Sequence, residues 1–122
     1  MSQILIVDDD AMMRDRLRQM FERRGYDVHE AATGMEGLQA YCSEPTDLVI
    51  TDLQMPTMNG LQMMQHLREA FPAIKMIAIS GAPHLLSEAH ALATHTFLKP
   101  VALHPLLRAV EELVAQDDAE AL

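Results

Sequence analysis

The chain is predicted to fold as an α/β domain with a doubly wound, five-stranded parallel sheet flanked by five helices. Three short apolar runs carry that prediction: Ile4 to Val7 runs into Asp8, Asp9 and Asp10, Leu48 to Thr51 into Asp52, and Thr96 to Leu98 into Lys99 and Pro100. Such runs read as strands covered on both faces, with polar residues gathered where each strand stops. Between them apolar residues recur at helical spacing, so strands and helices alternate and the crossovers are expected to be right-handed. Chemistry is therefore expected at the carboxyl edge of one sheet.

After the first strand, Met13, Leu17, Met20 and Phe21 mark a helix that should stop at Gly25, with Arg23 and Arg24 near its negative end. A second strand over Tyr26 to Ala31 and a helix over Gly34 to Cys42 follow, and Glu44, Pro45 and Thr46 break the chain before Leu48. Beyond Asp52 come a loop with Pro56 and a helix capped by Asn59, with Leu61, Met64, Leu67 and Phe71 as its apolar stripe. The fourth strand is expected over Ile74 to Ile79, a turn at Ser80 to Pro83, a fourth helix over Leu85 to Ala93, and the fifth strand at Thr96 to Leu98. Leu103, Leu106, Leu107, Val110 and Val114 stripe the last helix, and the polar tail from Gln116 is expected to fray. The common order for such a sheet is 2-1-3-4-5, which makes strands one and three neighbours.

At 122 residues, 49% of them apolar, the chain fits one domain around one core. A net charge of −9 with only nine Lys and Arg argues against direct binding to nucleic acid or to an anionic membrane. No apolar stretch approaches the roughly 20 residues that span a bilayer, and the amino terminus lacks a signal-peptide pattern. The cytoplasm is the expected compartment. The single cysteine, Cys42, reads as a helix-packing thiol.

Neighbouring strands lie about 4.8 Å apart, so Asp8 and Asp9 should face Asp52 across one gap. Two unit charges about 5 Å apart repel by roughly 3 kcal/mol at an effective dielectric near 20, which raises a pKa or attracts a cation. Oxygen donors of this kind suit Mg²⁺ better than Zn²⁺. On the far side, the Ser80 hydroxyl and the Lys99 ammonium can grip an anion. Such a site can take a phosphoryl group onto a carboxylate, with Asp52 as the acceptor.

Other polar and sulfur residues read more plainly. Asp10 is a helix-start acid, and Thr96, a switch candidate along with Ser80, reads first as strand packing. Met13, Met20 and Met64 are core filler, whereas Met55 and Met58, in the loop after Asp52, are candidate partner contacts. The six histidines show no metal-ligand spacing and read mostly as surface residues; His84, after the Ser80 turn, is a minor candidate for the site mouth.

The chain resembles the receiver domain of two-component response regulators, single-domain and chemotaxis-regulator-like, over essentially its whole length. The matching segments are Ile4-Leu5-Ile6-Val7-Asp8-Asp9-Asp10, Val49 to Pro56, Met58-Asn59-Gly60, Ile79-Ser80-Gly81 and Lys99-Pro100, all in order at helix-plus-strand intervals. The resemblance implies a flavodoxin-like receiver fold and phosphorylation of Asp52 by a sensor histidine kinase or a histidine phosphotransfer protein. It implies Mg²⁺ held by Asp8, Asp9, Asp52 and the Gln54 carbonyl, with Ser80 and Lys99 engaging the phosphoryl group. It further implies a cis Lys99–Pro100 bond and a surface of helix four, strand five and helix five that switches protein partners. Self-association through that face stays open.

Two departures stand out. Thr96 occupies the position three before the lysine where many receivers carry Tyr or Phe, and the segment from Ser80 to Lys99 is a few residues short, predicting a short or displaced fourth helix. The expected function is a stand-alone, phosphorylation-controlled signalling module that assists its own phosphorylation and dephosphorylation and turns over no separate substrate. One alternative is a phosphate-independent scaffold, which Thr96 keeps open. The other is a small aspartate-nucleophile phosphatase built on Asp8-Asp9-Asp10, which lacks the threonine that family places where Met12 stands.

Overall fold

The computed structural model describes residues 2–55 and 58–121, with side chains through residue 115. Ten elements alternate: β1 (Gln3–Val7), α1 (Ala11–Arg23), β2 (Asp27–Ala31), α2 (Gly34–Ser43), β3 (Leu48–Asp52), α3 (Gly60–Ala70), β4 (Met76–Ser80), α4 (Pro83–Ala89), β5 (His95–Leu98) and α5 (Leu103–Ala121). The strands form one parallel sheet in the order β2-β1-β3-β4-β5. This is the predicted doubly wound architecture.

Alternation along each strand divides the core into two layers, because successive side chains point to opposite faces. Ile4, Ile6, Leu48, Ile50, Ile77 and Ile79 meet Leu17 and Phe21 of α1 and Leu106, Val110 and Leu113 of α5. On the other face Leu5, Val7, Val49 and Ala78 meet Tyr41 of α2 and Met63, Met64 and Leu67 of α3. Register then aligns the strand ends: Val7 pairs with Thr51, Asp52 with Ile79, and Ser80 with Leu98.

Local signals set the helix ends. Asp10 caps α1 by accepting from the Met12 and Met13 N–H groups, and Gly25, at φ +89°, ends the turn after it with a backbone that other residues rarely adopt. Asn59 and Gln62 form a reciprocal capping box on α3. Gly60 is required there for a second reason: a Cβ would overlap the Asp52 carbonyl oxygen. Absence of a side chain lets α3 start directly against the end of β3.

Several expectations are corrected. α4 begins at Pro83 and ends at Ala89, not over Leu85 to Ala93, because proline favours the first turn and tight turns closing on the Ala89 carbonyl follow. β5 is an edge strand with His95 and Leu98 exposed and Thr96 and Phe97 half-buried, so the run at Thr96 to Leu98 is not a fully buried strand. Strand β4 starts at Met76, with Ile74 buried ahead of it, and Met63 rather than Leu61 or Phe71 fills the centre of the α3 stripe. Met64 enters the core layer under α2 and α3, whereas Met13 and Met20 only flank the opposite layer, under α1 and α5. Cys42 is exposed rather than buried as a packing thiol. Backbone helicity of α5 runs through the polar stretch from Gln116 to Ala121. The loop position Pro56 lies outside the described residues.

Candidate functional site

Three of the predicted residues meet at the carboxyl edge. Asp8 follows β1, Asp9 follows it into the turn before α1, and Asp52 closes β3, so that one carboxylate oxygen from each lies within 4.8 Å of the others. Asp8 and Asp52 are each 4% exposed, whereas Asp9 opens to solvent. These hard oxygen donors, two of them buried and crowded, form a set suited to a divalent cation such as Mg²⁺.

Hydrogen bonds fix the two buried acids. Asp8 Oδ1 accepts from the Asp10 N–H at 2.9 Å, and Asp52 Oδ1 accepts from the Gln54 N–H at 3.1 Å. Across the site Lys99 Nζ donates to Asp52 Oδ2 at 3.0 Å. The Lys99 N–H also continues the ladder to the Ser80 carbonyl, which ties the lysine to the end of β4. The Lys99–Pro100 peptide is cis, as the resemblance implies.

Crowding is written into the titration of the site. Burial lifts the Asp8 carboxyl from 3.8 to about 6; the Asp10 N–H opposes the rise, and the Asp52 charge adds to it. For Lys99 burial works against the charged form, but the bond to Asp52 and the charges of Asp52, Asp8 and Asp9 outweigh it and lift the pKa. The ammonium therefore stays charged beside the buried carboxylate.

The remaining candidates sit around this centre. Ser80, fully buried, accepts from the Ala82 N–H at 3.0 Å and donates to Gln54 Oε1 at 3.4 Å, so its hydroxyl is engaged from both sides. The exposed Gln54 side chain thus reaches across to Ser80. Thr96 stands apart from the edge, paired in register with Ala78, and lines a cavity of about 310 Å³ with Leu86, Ser87 and His90. His84 is exposed on α4, and Met55 is buried in the core with Met58 packed against it, so Met55 is no free partner contact. Both methionines belong to the core layer under α2 and α3.

Sequence reasoning missed Arg14. Its Nη1 donates to the Asp8 carbonyl at 2.6 Å, and its Nε lies 3.5 Å from Glu30 Oε1 at the end of β2. A signal was present: a positive residue in the first turns of a helix is disfavoured by the helix dipole and needs a partner.

Comparison with known proteins agrees with this geometry. Residues 4–111 match the response regulator receiver domain family. The chain is 35% identical over 120 residues to the sensor kinase CckA of Brucella abortus, covering 94% of this chain and 13% of that one. It is 32% identical to the response regulator MprA of Mycobacterium avium, covering 98% of this chain and 55% of that protein. The chain thus spans only part of the length of these relatives. The response regulator TrrA of Thermotoga maritima, solved in complex with Mg²⁺ and beryllium fluoride, superposes with a TM-score of 0.86 at 30% identity over 93% of this chain and 99% of that one. No described helix is long and apolar enough to cross a membrane. By sequence match, by sheet order and by the residues gathered at the sheet edge, this chain belongs to the response regulator receiver domain family of two-component systems.

Proposed function

We propose that residues 1–122 act as one receiver domain that accepts a phosphoryl group on Asp52 from a phosphohistidine of a sensor histidine kinase or a histidine phosphotransfer protein. The observation that carries this reading is the setting of the Asp52 carboxylate, with Lys99 Nζ at 3.0 Å and the Asp8 and Asp9 carboxylates within 4.8 Å. A lone buried acid would need only its lysine. Three acids and one lysine leave an excess of negative charge that a divalent cation relieves.

Asp8, Asp9, Asp52 and the Gln54 carbonyl would hold Mg²⁺. When bound, the ion neutralises charge spread over the transferring phosphoryl oxygens. The chain's own residues do the rest. An Asp52 carboxylate oxygen attacks phosphorus, the phosphorus–nitrogen bond to the donor imidazole breaks, and the leaving nitrogen keeps the electron pair and is protonated. The Gln54 N–H holds the carboxylate in place from its other oxygen. Lys99 follows the negative charge from the carboxylate to the phosphoryl oxygens.

Ser80 supplies the switch. Its bond to Gln54 is long at 3.4 Å, and exchanging it for one to a charged phosphoryl oxygen gains about 1.5–3 kcal/mol. That shifts a two-state equilibrium roughly ten- to a hundredfold. The surface expected to respond comprises α4, β5 and α5, where Thr96 and its cavity lie, and a downstream protein reads it. The net charge of −9 supports protein partners rather than nucleic acid or membrane. The module assists its own phosphorylation and dephosphorylation without turning over a separate substrate.

Intact-protein mass spectrometry after treatment with acetyl phosphate, with and without Mg²⁺, tests this. A phosphate-sized gain that needs Mg²⁺ and vanishes in Asp52→Ala is expected. Labelling that persists in Asp52→Ala would sink the assignment of the acceptor.

A further inference from the structure

Beside the acidic cluster lies a set of charges that the phosphoryl chemistry leaves unused. Arg14 Nη1 donates to the main-chain carbonyl of Asp8 at 2.6 Å, and its guanidinium is largely buried, with the side chain 18% exposed. Arg14 Nε makes no hydrogen bond and lies 3.5 Å from Glu30 Oε1, so charge holds that pair together. The other Glu30 oxygen lies 3.5 Å from Arg18 Nη1, and Arg18 also meets Asp15 and Glu22. The guanidinium is thus steadied at the end of β2 by an ion network that reaches back along α1.

The consequence falls on Asp8. Its N–H donates to the Ala31 carbonyl at 3.1 Å, its carbonyl accepts from Arg14, and its Oδ1 accepts from the Asp10 N–H. With both flanking peptide groups tied, the main chain of Asp8 has one orientation, and the direction of its side chain follows. Sites that bind metal depend on such outer partners to aim their ligands. A planar guanidinium can serve a carbonyl and a carboxylate at once, which a single ammonium on a flexible stem does far less well.

We infer that Arg14, steadied by Glu30, is a positioning residue that fixes the Asp8 main chain and so aims the Asp8 and Asp9 carboxylates at Asp52. This rests on the cation-assisted phosphoacceptor reading given above. Its sign separates it from simple electrostatics. A positive charge near a divalent site repels the cation, so charge alone predicts that removing Arg14 tightens Mg²⁺ binding. Positioning predicts the reverse.

The test is calorimetric titration of Mg²⁺ into the full chain for wild type, Arg14→Ala and Arg14→Lys, with thermal melts in EDTA to verify that each variant is folded. The Mg²⁺ Kd should rise about tenfold in Arg14→Ala and several-fold in Arg14→Lys, which keeps the charge but loses the fork. An Arg14→Ala Kd equal to or tighter than wild type overturns the inference. Should Arg14→Ala fail to fold, an unchanged Kd in Arg14→Lys overturns it instead. A wild-type chain that binds no Mg²⁺ overturns the phosphoacceptor reading itself, and this inference falls with it.

Discussion

Strands β1, β3 and β4 deliver Asp8, Asp52 and Ser80 out of segments that are buried almost throughout, whereas Lys99 follows β5, an edge strand whose Leu98 is 53% exposed. The helices repeat the contrast. α3 has a reciprocal capping box and buries Gly60, Met63, Met64 and Leu67; α4 has seven residues, no side-chain cap and one buried residue, Ala89. Elements with few buried contacts open at lower free energy than the core. The inner strands thus hold the acids, and under the proposed switch the β5–α4 edge is the part expected to answer a change at Ser80 and Lys99.

The largest effect should come from truncating the inner sheet. Ile50→Ala should cost about 2–5 kcal/mol in urea denaturation, while Phe97→Ala on the half-covered β5 should cost about 1–2 kcal/mol. Equal losses would break the contrast. Next comes the crowding of the acids. The Asp8 carboxyl titrates at about 6 in the folded chain against 3.8 ordinarily, so the folded state binds more protons between these values. In EDTA, stability should therefore fall by about 3 kcal/mol as pH rises through that window. Asp8→Asn should flatten that fall, and an unchanged pH profile would mean that the acids are not crowded.

Smaller effects sharpen the helix comparison. Asn59→Ala removes the cap of α3 and should cost about 1 kcal/mol by chemical denaturation. Ala82→Ser adds the missing cap acceptor to α4 and should stabilise it by about 0.5 kcal/mol, visible as slower amide exchange over residues 83–89. No gain from Ala82→Ser would show that something other than its bare first turn governs α4.

Much of this was legible in the chain because it is local. Apolar runs ending in Asp8, Asp52 and Lys99 marked strands and site together, and Asp10 and Asn59 announced their helices by cap chemistry. What escaped notice depends on tertiary placement. The run Thr96 to Leu98 looks like any buried strand, and only its place at the sheet edge leaves it half covered. Periodicity could not tell that Met55 turns inward or that Cys42 faces out. The Arg14–Glu30 pair joins residues on different elements, and the Thr96 cavity exists only where α4 packs against β5.

If the proposed switch operates, the inner strands hold while the β5–α4 edge responds. Amide exchange followed by mass spectrometry, with and without Mg²⁺ and beryllium fluoride as a phosphoryl mimic, tests it most directly. Exchange should change over α4 and β5 while β1 and β3 keep their protection. A change spread evenly over all strands, or confined to β1 and β3, would contradict it.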